Sequence, residues 1–317
     1  MKNQKLIFRS FVAIIFAFSV ITGCKKKDDV VAPVAVDDAA LQTESANDQS
    51  NVENESNLAM DDANTALQGV SATRDMESFN FCNITIDSSQ MATGLIVLTY
   101  TGNNCDNTRL RSGSISIQLP YINGAVKRWK VLGAEVTLTF NNYKVTRLSD
   151  NKSLTLNGTH SVTNVNGGLI PDLLTVATPI VHKIRANMVL TFDDQTNRTW
   201  GAARIRTFSI ANNIISCAVT GDTAINSYTN VAMWGTNRHG DSFSISIPTA
   251  VVFNVYGGTC LHKPLSGVRV LNKLTHEITV TYGVDVNGAA VTSGCPYGWK
   301  ANWINGQGVA KQIVRSY

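Results

Sequence analysis

The sequence predicts an all-β protein built as an antiparallel meander or sandwich of many short strands. The main observation is that apolar and polar residues alternate with a period of two over residues 76–317. In 242–247, for example, phenylalanine and isoleucine alternate with serine, so one buried face is enough to hold the strand. No helical period of useful length interrupts the pattern, which argues against a parallel sheet with crossover helices.

Individual strands and turns can be assigned from the same pattern. Four pairs of residues ending in glycine suit tight turns that need a positive φ, at 123–124, 157–158, 239–240 and 305–306. Two short segments resemble later ones in the chain, 96–100 with 278–282 and 138–142 with 190–194. This internal similarity leaves two alternatives open: two related β units, or chance similarity among strands rich in threonine and valine. The clearest predicted strands are 94–100, 114–119, 134–140, 153–165, 187–192, 204–210, 242–247 and 277–282.

Residues 1–23 have the layout of a secretory signal peptide. A start with three basic residues is followed by an apolar run that is short for a membrane span. The run ends in Ile21-Thr22-Gly23-Cys24, which resembles the bacterial lipobox, and the resemblance implies that the Cys24 thiol receives a diacylglyceryl group. We therefore predict an outer-membrane lipoprotein attached to the membrane through Cys24; the alternative is an ordinary secretory signal with a chance cysteine.

Residues 24–75 form an acidic segment with a net charge of −7, which we interpret as a tether. Two alternatives remain open for it, a disordered spacer and a marginal, solvated helix. Its first residues, Cys24-Lys25-Lys26-Lys27-Asp28-Asp29, resemble the export signal of surface lipoproteins of Bacteroidetes, which implies exposure at the cell surface. A plain charged linker, with the lipoprotein facing the periplasm, is the alternative.

The β-rich domain, 76–317, carries about +8 and so contrasts with its acidic tether. Such an asymmetry is compatible with binding to acidic glycans, lipopolysaccharide phosphates or nucleic acid. Because the basic residues are spread along the domain without a dense run, we favour mutual neutralisation of tether and domain, and expect no nucleic acid partner.

A series of short motifs in the domain resembles a family of uncharacterised β-rich lipoproteins of Bacteroidetes. The resemblance implies a β fold and an envelope location, and it carries no activity to transfer. The motifs are Cys105 with Arg109-Leu110-Arg111-Ser112-Gly113, then 158–164, 198–200, 236–243 and 278–283, in that order.

Five cysteines remain after Cys24, and in an exported protein they are first read as disulfide candidates. We pair Cys82 with Cys105 and Cys260 with Cys295, because each pair flanks a stretch that contains a strand. Cys217 is then a small buried apolar residue. Zinc would need closely spaced cysteine or histidine pairs, which the sequence lacks, so no metal is expected.

Catalytic motifs are also missing from the sequence. There is no GxSxG, HExxH or glycine-rich phosphate loop, and the adjacent pair His276-Glu277 would point to opposite faces of a strand. We therefore predict no cofactor and a noncatalytic structural or interaction protein, with a hydrolase as a weaker alternative because triads assemble in space rather than in sequence.

Carbohydrate binding is a stronger alternative than hydrolysis, because Tyr297, Trp299 and Trp303 cluster near the C-terminus. On a regular strand the two tryptophans share a face and could stack on sugar rings, while packing in the core is the competing interpretation. The partners expected are thus a membrane, through the lipid, and either a glycan or another envelope protein. A weaker signal is Asp222-Thr223-Ala224, which resembles the acceptor of Bacteroidetes O-glycosylation, with Thr223 expected in a loop.

Overall fold

Strands account for most of the chain that the structure describes. The computed structural model describes residues 81–261, 263–273 and 277–317 and, nearer the N-terminus, helical residues 44, 48, 51, 52, 55, 56, 58–60, 62, 63, 65 and 66. The strands are β1 (Ile84–Asp87), β2 (Leu95–Asn103), β3 (Arg109–Gln118), β4 (Tyr121–Ile122), β5 (Ala125–Val126), β6 (Ala134–Arg147), β7 (Ser153–Asn164), β8 (Ile180–Phe192), β9 (Asn197–Ala211), β10 (Ile214–Gly221), β11 (Thr223–Ile225), β12 (Tyr228–Thr236), β13 (Ser242–Tyr256), β14 (Pro264–Lys273), β15 (Glu277–Val284), β16 (Gly298–Ile304) and β17 (Ala310–Ser316).

The predicted antiparallel meander is confirmed, since neighbours in the sheet are mostly neighbours in sequence. Fifteen strands form one sheet, which runs from β1 through β3, then from β6 through β10, and then from β13 through β17. The remaining two, β4 and β5, form a small hairpin in the connection between β3 and β6. Two short 3-10 helices, Met91–Thr93 and Ile170–Leu174, lie in other connections.

Two strands fill the gap between the long strands β9 and β13. Strand β10 pairs with residues 204–211 of β9 and 251–256 of β13, while β12 pairs with 200–202 of β9 and 242–246 of β13. Strands β10 and β12 therefore lie nearly end to end in the same layer, and the sheet stays continuous through its middle.

Each of the eight predicted strands lies in a strand of the sheet, except that residues 94, 119 and 165 fall just outside, and three of the four predicted turns connect strands. The predicted turn at Asn157-Gly158 is wrong, because this pair lies inside β7 where the register against β6 shifts. Gly158 has a φ of +124°, and a Cβ there would lie 2.2 Å from the carbonyl oxygen of Asn187 on β8. Glycine is needed at this position for a close approach within the sheet, and not for a hairpin turn.

One face of the sheet, here called the inner face, carries most of the buried apolar side chains. On β8, for example, Ile184, Met188 and Leu190 are buried in alternation with more exposed neighbours. The same cluster includes residues from β2 to β13, such as Leu98 and Ile245, so a single core extends along the sheet.

The described residues between Glu44 and Ala66, here called the N-terminal helical segment, pack on this inner face. Val52, Ala59, Ala63 and Ala66 are almost fully buried and belong to the same core cluster as the strands. They lie on one helical stripe, and alanine allows a close approach to the sheet. Residues 38–317 accordingly form one compact unit. The helical alternative for the described part of the tether is thus found, but it is buried where we expected a solvated segment.

Candidate functional site

Ion pairs join the N-terminal helical segment to the inner face, beginning at β3. Nε of Arg109 donates to both carboxylate oxygens of Glu55, at 2.9 and 3.1 Å, and Nη1 of Arg111 donates to Asp62 at 2.8 Å. Both arginines are on odd positions of β3, so the strand period directs them to the same face. The exposed fraction of each of the four side chains is below a quarter, so these charge-assisted bonds are partly shielded from water.

A second group of pairs lies at the turn between β12 and β13. The Arg238 guanidinium donates from Nε and Nη2 to the two Asp48 oxygens, each at 2.7 Å, and from Nη1 to Asp194 at 3.1 Å. It also lies over the ring of Phe192, 3.5 Å from the centroid. Glu44 contacts His239 Nε2 at 2.9 Å. Among the residues that the structure describes, acidic groups of the tether thus neutralise basic groups of the domain, as we favoured from the charge distribution.

Two tyrosines complete the polar contacts around Arg111. The Tyr100 hydroxyl donates to Asp62 at 3.1 Å, and the Arg111 guanidinium lies 5.0 Å from the centre of the Tyr100 ring. Burial raises the pKa of Tyr100 and of Tyr143 well above the ordinary value, with the Asp62 charge adding to the rise for Tyr100. Both tyrosines therefore stay protonated near neutral pH, and the Tyr100 hydroxyl is the donor to Asp62.

The arrangement that most resembles a catalytic pair is Ser56 with His160. The Ser56 hydroxyl lies 2.9 Å from His160 Nδ1, and both residues are buried. Burial, and then the charges of Arg204 and Arg206, lower the pKa of His160 to about 3, which makes it a very weak base near neutral pH. Nε2 of His160 is buried and has no hydrogen-bond partner among the described residues, so none of the described acidic groups orients the ring. These properties suit a structural contact between helix and sheet better than nucleophile activation.

His182, the second buried histidine, packs between aromatic rings. Its ring lies edge-on to Trp129 and Phe208, with centroid distances of 5.2 and 5.0 Å, and its cross-strand partner on β9 is Arg206. Burial, followed by the Arg206 charge, lowers the pKa of His182 to about 4. No group of three or more histidine, cysteine or acidic residues that could hold a metal ion occurs in the described ranges. His262 and His276 lie outside the described residues.

The predicted disulfides are confirmed. Cys82 is bonded to Cys105 and Cys260 to Cys295, with Cα–Cα distances of 5.1 and 5.5 Å. The first closes the β1–β2 hairpin region, and the second holds the start of β14 near the start of β16. Each closes a loop for which about 3–4 kcal/mol of stabilisation is expected. Cys217 is a free, buried cysteine whose pKa burial raises to about 11, as expected for an inert apolar residue.

The predicted aromatic cluster lies on the last strands of the sheet. Trp299 and Trp303 are both half-buried on β16 and share a face, opposite Tyr282 and Ile278 of β15 respectively. Within the described ranges neither indole N–H has a hydrogen-bond partner, and both side chains keep part of their surface exposed. Tyr297 precedes the strand and is exposed.

Basic side chains flank these tryptophans on the edge strand β17. Arg315 is the cross-strand partner of Trp299, and Lys311 is that of Trp303; both are exposed. On the other side Arg269 lies 5.5 Å from the Tyr282 ring centre. We call Trp299, Trp303, Lys311 and Arg315 the aromatic–basic face. Sequence reasoning identified its tryptophans but missed the basic residues, which only strand pairing brings beside them.

Two other predicted sites, for lipidation and for glycosylation, are not supported by the structure in the same way. Cys24, the predicted lipidation site, lies outside the described residues. Thr223 begins the short strand β11, whereas we expected a loop, and it is half-buried. The carboxylate of the preceding Asp222 contacts Arg185 and lies 3.6 Å from Lys183 Nζ.

In the part of the chain that the structure describes, none of the helices has the length and apolar character needed to cross a membrane. Comparison with family models, with curated proteins and with solved structures yields no match to this chain.

Proposed function

We propose that the protein is a lipid-anchored, noncatalytic interaction protein of the bacterial outer membrane, exposed at the cell surface. The proposed location is supported by residues 1–23, which have the layout of a signal peptide, and by the similarity of 21–24 to a lipobox. The motifs shared with uncharacterised β-rich lipoproteins of Bacteroidetes point the same way. Two or more acyl chains on one cysteine give lasting attachment, whereas a single chain gives reversible binding.

The anchoring is tested by the substitution Cys24→Ser. Because only the thiol accepts the lipid, we expect this variant to lose the mass of the acyl chains and to leave the membrane fraction. Cys217→Ser is the matched control, since its thiol is buried and should not be acylated. Unchanged acylation and membrane retention in the Cys24→Ser variant would exclude the lipoprotein assignment.

A more specific candidate function is carbohydrate binding at the aromatic–basic face, and the half-exposed tryptophan pair is the observation that carries it. Four residues apart on one strand, the two Cα atoms are about 13 Å from each other, so the two side chains can contact separate parts of an extended chain. Each ring can stack on a sugar, and each indole N–H can donate to a hydroxyl. Lys311 and Arg315 add positive charge on the same face, which favours an acidic polysaccharide over a neutral one.

Substitution of the tryptophans separates binding from folding. Trp299→Ala and Trp303→Ala each remove a half-buried ring, so we expect a loss of stability of about 2 kcal/mol, below the roughly 3–5 kcal/mol of a core tryptophan. Trp200→Ala, at a fully buried position, is the matched control for the core cost. We expect both single variants to remain folded by circular dichroism and to lose retention on acidic polysaccharide in affinity electrophoresis.

The polysaccharide panel should include neutral and acidic polymers of similar length. Folded tryptophan variants that migrate like the original chain in every gel would exclude the aromatic–basic face as the site. Retardation of the original chain by neutral polymers alone would exclude the role given to Lys311 and Arg315. The structural or protein-binding role would then remain for the domain.

A further inference from the structure

Two neighbouring connections, β3–β6 and β7–β8, carry a set of exposed apolar side chains that the aromatic–basic face does not include. The set lies on the β4–β5 hairpin and residues 127–133 of the first connection, and on residues 165–179 of the second. Leu132 is the most open of the set, with 72% of its surface exposed. We call the set the apolar loop patch; its members are Tyr121, Ile122, Val131, Leu132, Leu169, Leu174 and Val176.

Backbone hydrogen bonds hold these connections side by side. Gly168 N–H donates to the Lys130 carbonyl at 2.9 Å, and the Asn164 side chain donates to the carbonyls of Trp129 and Gly168 at 3.1 and 2.9 Å. Lys127 N–H donates to the Pro120 carbonyl at 2.7 Å, which joins the hairpin to residues 127–133. The exposed apolar groups therefore belong to one region of the surface.

Inward-facing residues of the same connections fix this region to the core. Leu173 is buried, and Val126, Trp129 and Ile170 pack against the core cluster. Each connection thus points some apolar side chains inward and others outward. The outward set is held in place by the fold, and a patch of this kind on a folded protein usually marks an interaction surface.

Positive charge is interleaved with the patch. Lys127, Arg128 and Lys130 lie between the hairpin and Leu132, and none of the three side chains forms an ion pair or hydrogen bond with another residue that the structure describes. Two acidic side chains lie nearby: Asp172 accepts from the Leu169 N–H, and Glu135 accepts from the Thr163 hydroxyl. Both donors are uncharged, so the two carboxylates keep their charge, and three basic side chains against two acidic ones leave the surroundings of the patch net positive.

We propose that the apolar loop patch docks on an anionic lipid surface. Apolar side chains at loop tips can enter the boundary between headgroups and acyl chains, while long basic side chains stay among the headgroups. Charge complementarity favours lipid over a protein partner, because the centre of a protein interface is usually depleted of lysine. The docking does not depend on acylation of Cys24; together, the two contacts would fix which side of the domain faces the bilayer.

The test places a fluorophore on the patch of the full chain and measures quenching by vesicle lipids that carry a quencher on the acyl chain. Leu132→Cys supplies the patch position, and Val309→Cys, an exposed apolar position between β16 and β17, supplies the matched control. The variants are made in a Cys24→Ser background; because Cys217 is buried and the other described cysteines are paired, labelling under non-reducing conditions is then selective. Vesicles are phosphatidylcholine with or without phosphatidylglycerol.

We expect quenching at position 132 and little at 309, with stronger quenching in vesicles that contain phosphatidylglycerol. Replacing Lys127, Arg128 and Lys130 by glutamine should weaken partition into those vesicles roughly a hundredfold, since each basic residue near an anionic surface contributes about 1 kcal/mol. Equal quenching at both positions, or none at 132, would overturn the proposal, as would contact of the 132 label with a second copy of the chain. With lipid in excess, quenching of the label reports docking even when position 24 carries no acyl chain. Failed anchoring and failed docking therefore give different results.

Discussion

Separating Arg238 from Asp48 tests whether the N-terminal helical segment belongs to the folded unit. The guanidinium and carboxylate share two hydrogen bonds of 2.7 Å, and only 15% and 5% of the two side chains are exposed. Arg238→Ala leaves a buried carboxylate without its partner, for which we expect a loss of stability of about 3 kcal/mol. Asp48→Ala should cost about 1–2 kcal/mol, because Arg238 keeps Asp194 and the Phe192 ring.

The assay is urea unfolding followed by tryptophan fluorescence, for both single variants and the double variant. The difference between the summed single losses and the double loss gives the coupling free energy, which we expect to be about 2 kcal/mol. Arg147 and Asp150 form the matched control pair, because their side chains are 33% and 39% exposed and such a pair contributes at most about 1 kcal/mol. A coupling between Arg238 and Asp48 no larger than that of the control would refute the packing of the segment on the sheet.

Three further predictions concern the core and the disulfides. Non-reducing peptide mapping should recover both disulfides, with Cys217 alkylated only after unfolding; free thiols throughout would contradict this. The folded-state pKa values of His160 (about 3) and His182 (about 4) lie below the ordinary value, so only the unfolded chain takes up these protons as the pH falls from about 6.5. The free energy of unfolding should then decrease by up to about 1.4 kcal/mol per pH unit for each histidine down to about pH 4, and a His182→Gln variant should show a shallower slope between pH 7 and 5 in urea titrations. Gly158→Ala should lower the free energy of unfolding by more than about 1 kcal/mol, since the new Cβ would meet the Asn187 carbonyl, and an unfolding free energy equal to that of the original chain would contradict the close approach.

The strands were predictable because apolar and polar residues alternate along a half-buried strand. This alternation depends on the strand itself and not on the order of strands in the sheet. The exception at Asn157-Gly158 is instructive, because the same dipeptide serves a hairpin turn and a close approach inside a sheet. Only the Asn187 carbonyl, thirty residues away in sequence, distinguishes the two.

The position of the N-terminal helical segment was not predictable in the same way. Its buried stripe is mostly alanine, which a count of large apolar residues ignores, although Ala59, Ala63 and Ala66 lie on one helical face. Its ion pairs join residues that are far apart in the chain; Asp48 and Arg238, for example, are 190 positions apart. A local sequence pattern therefore cannot predict them. The opposite net charges of tether and domain did indicate that the two attract each other. They did not indicate which residues form the contacts.

Packing of the segment also sets how far the domain can travel from its point of attachment. If the chain were free from Cys24 to the first strand at Ile84, about 60 residues could extend to roughly 200 Å. With Glu44 held against His239, about 20 residues separate Cys24 from this contact, and even fully extended they reach only about 70 Å. A lipid on Cys24 would then confine the sheet to a thin layer over the bilayer, where the loop patch meets headgroups at high local concentration. Any polymer that the domain binds would be captured within that layer.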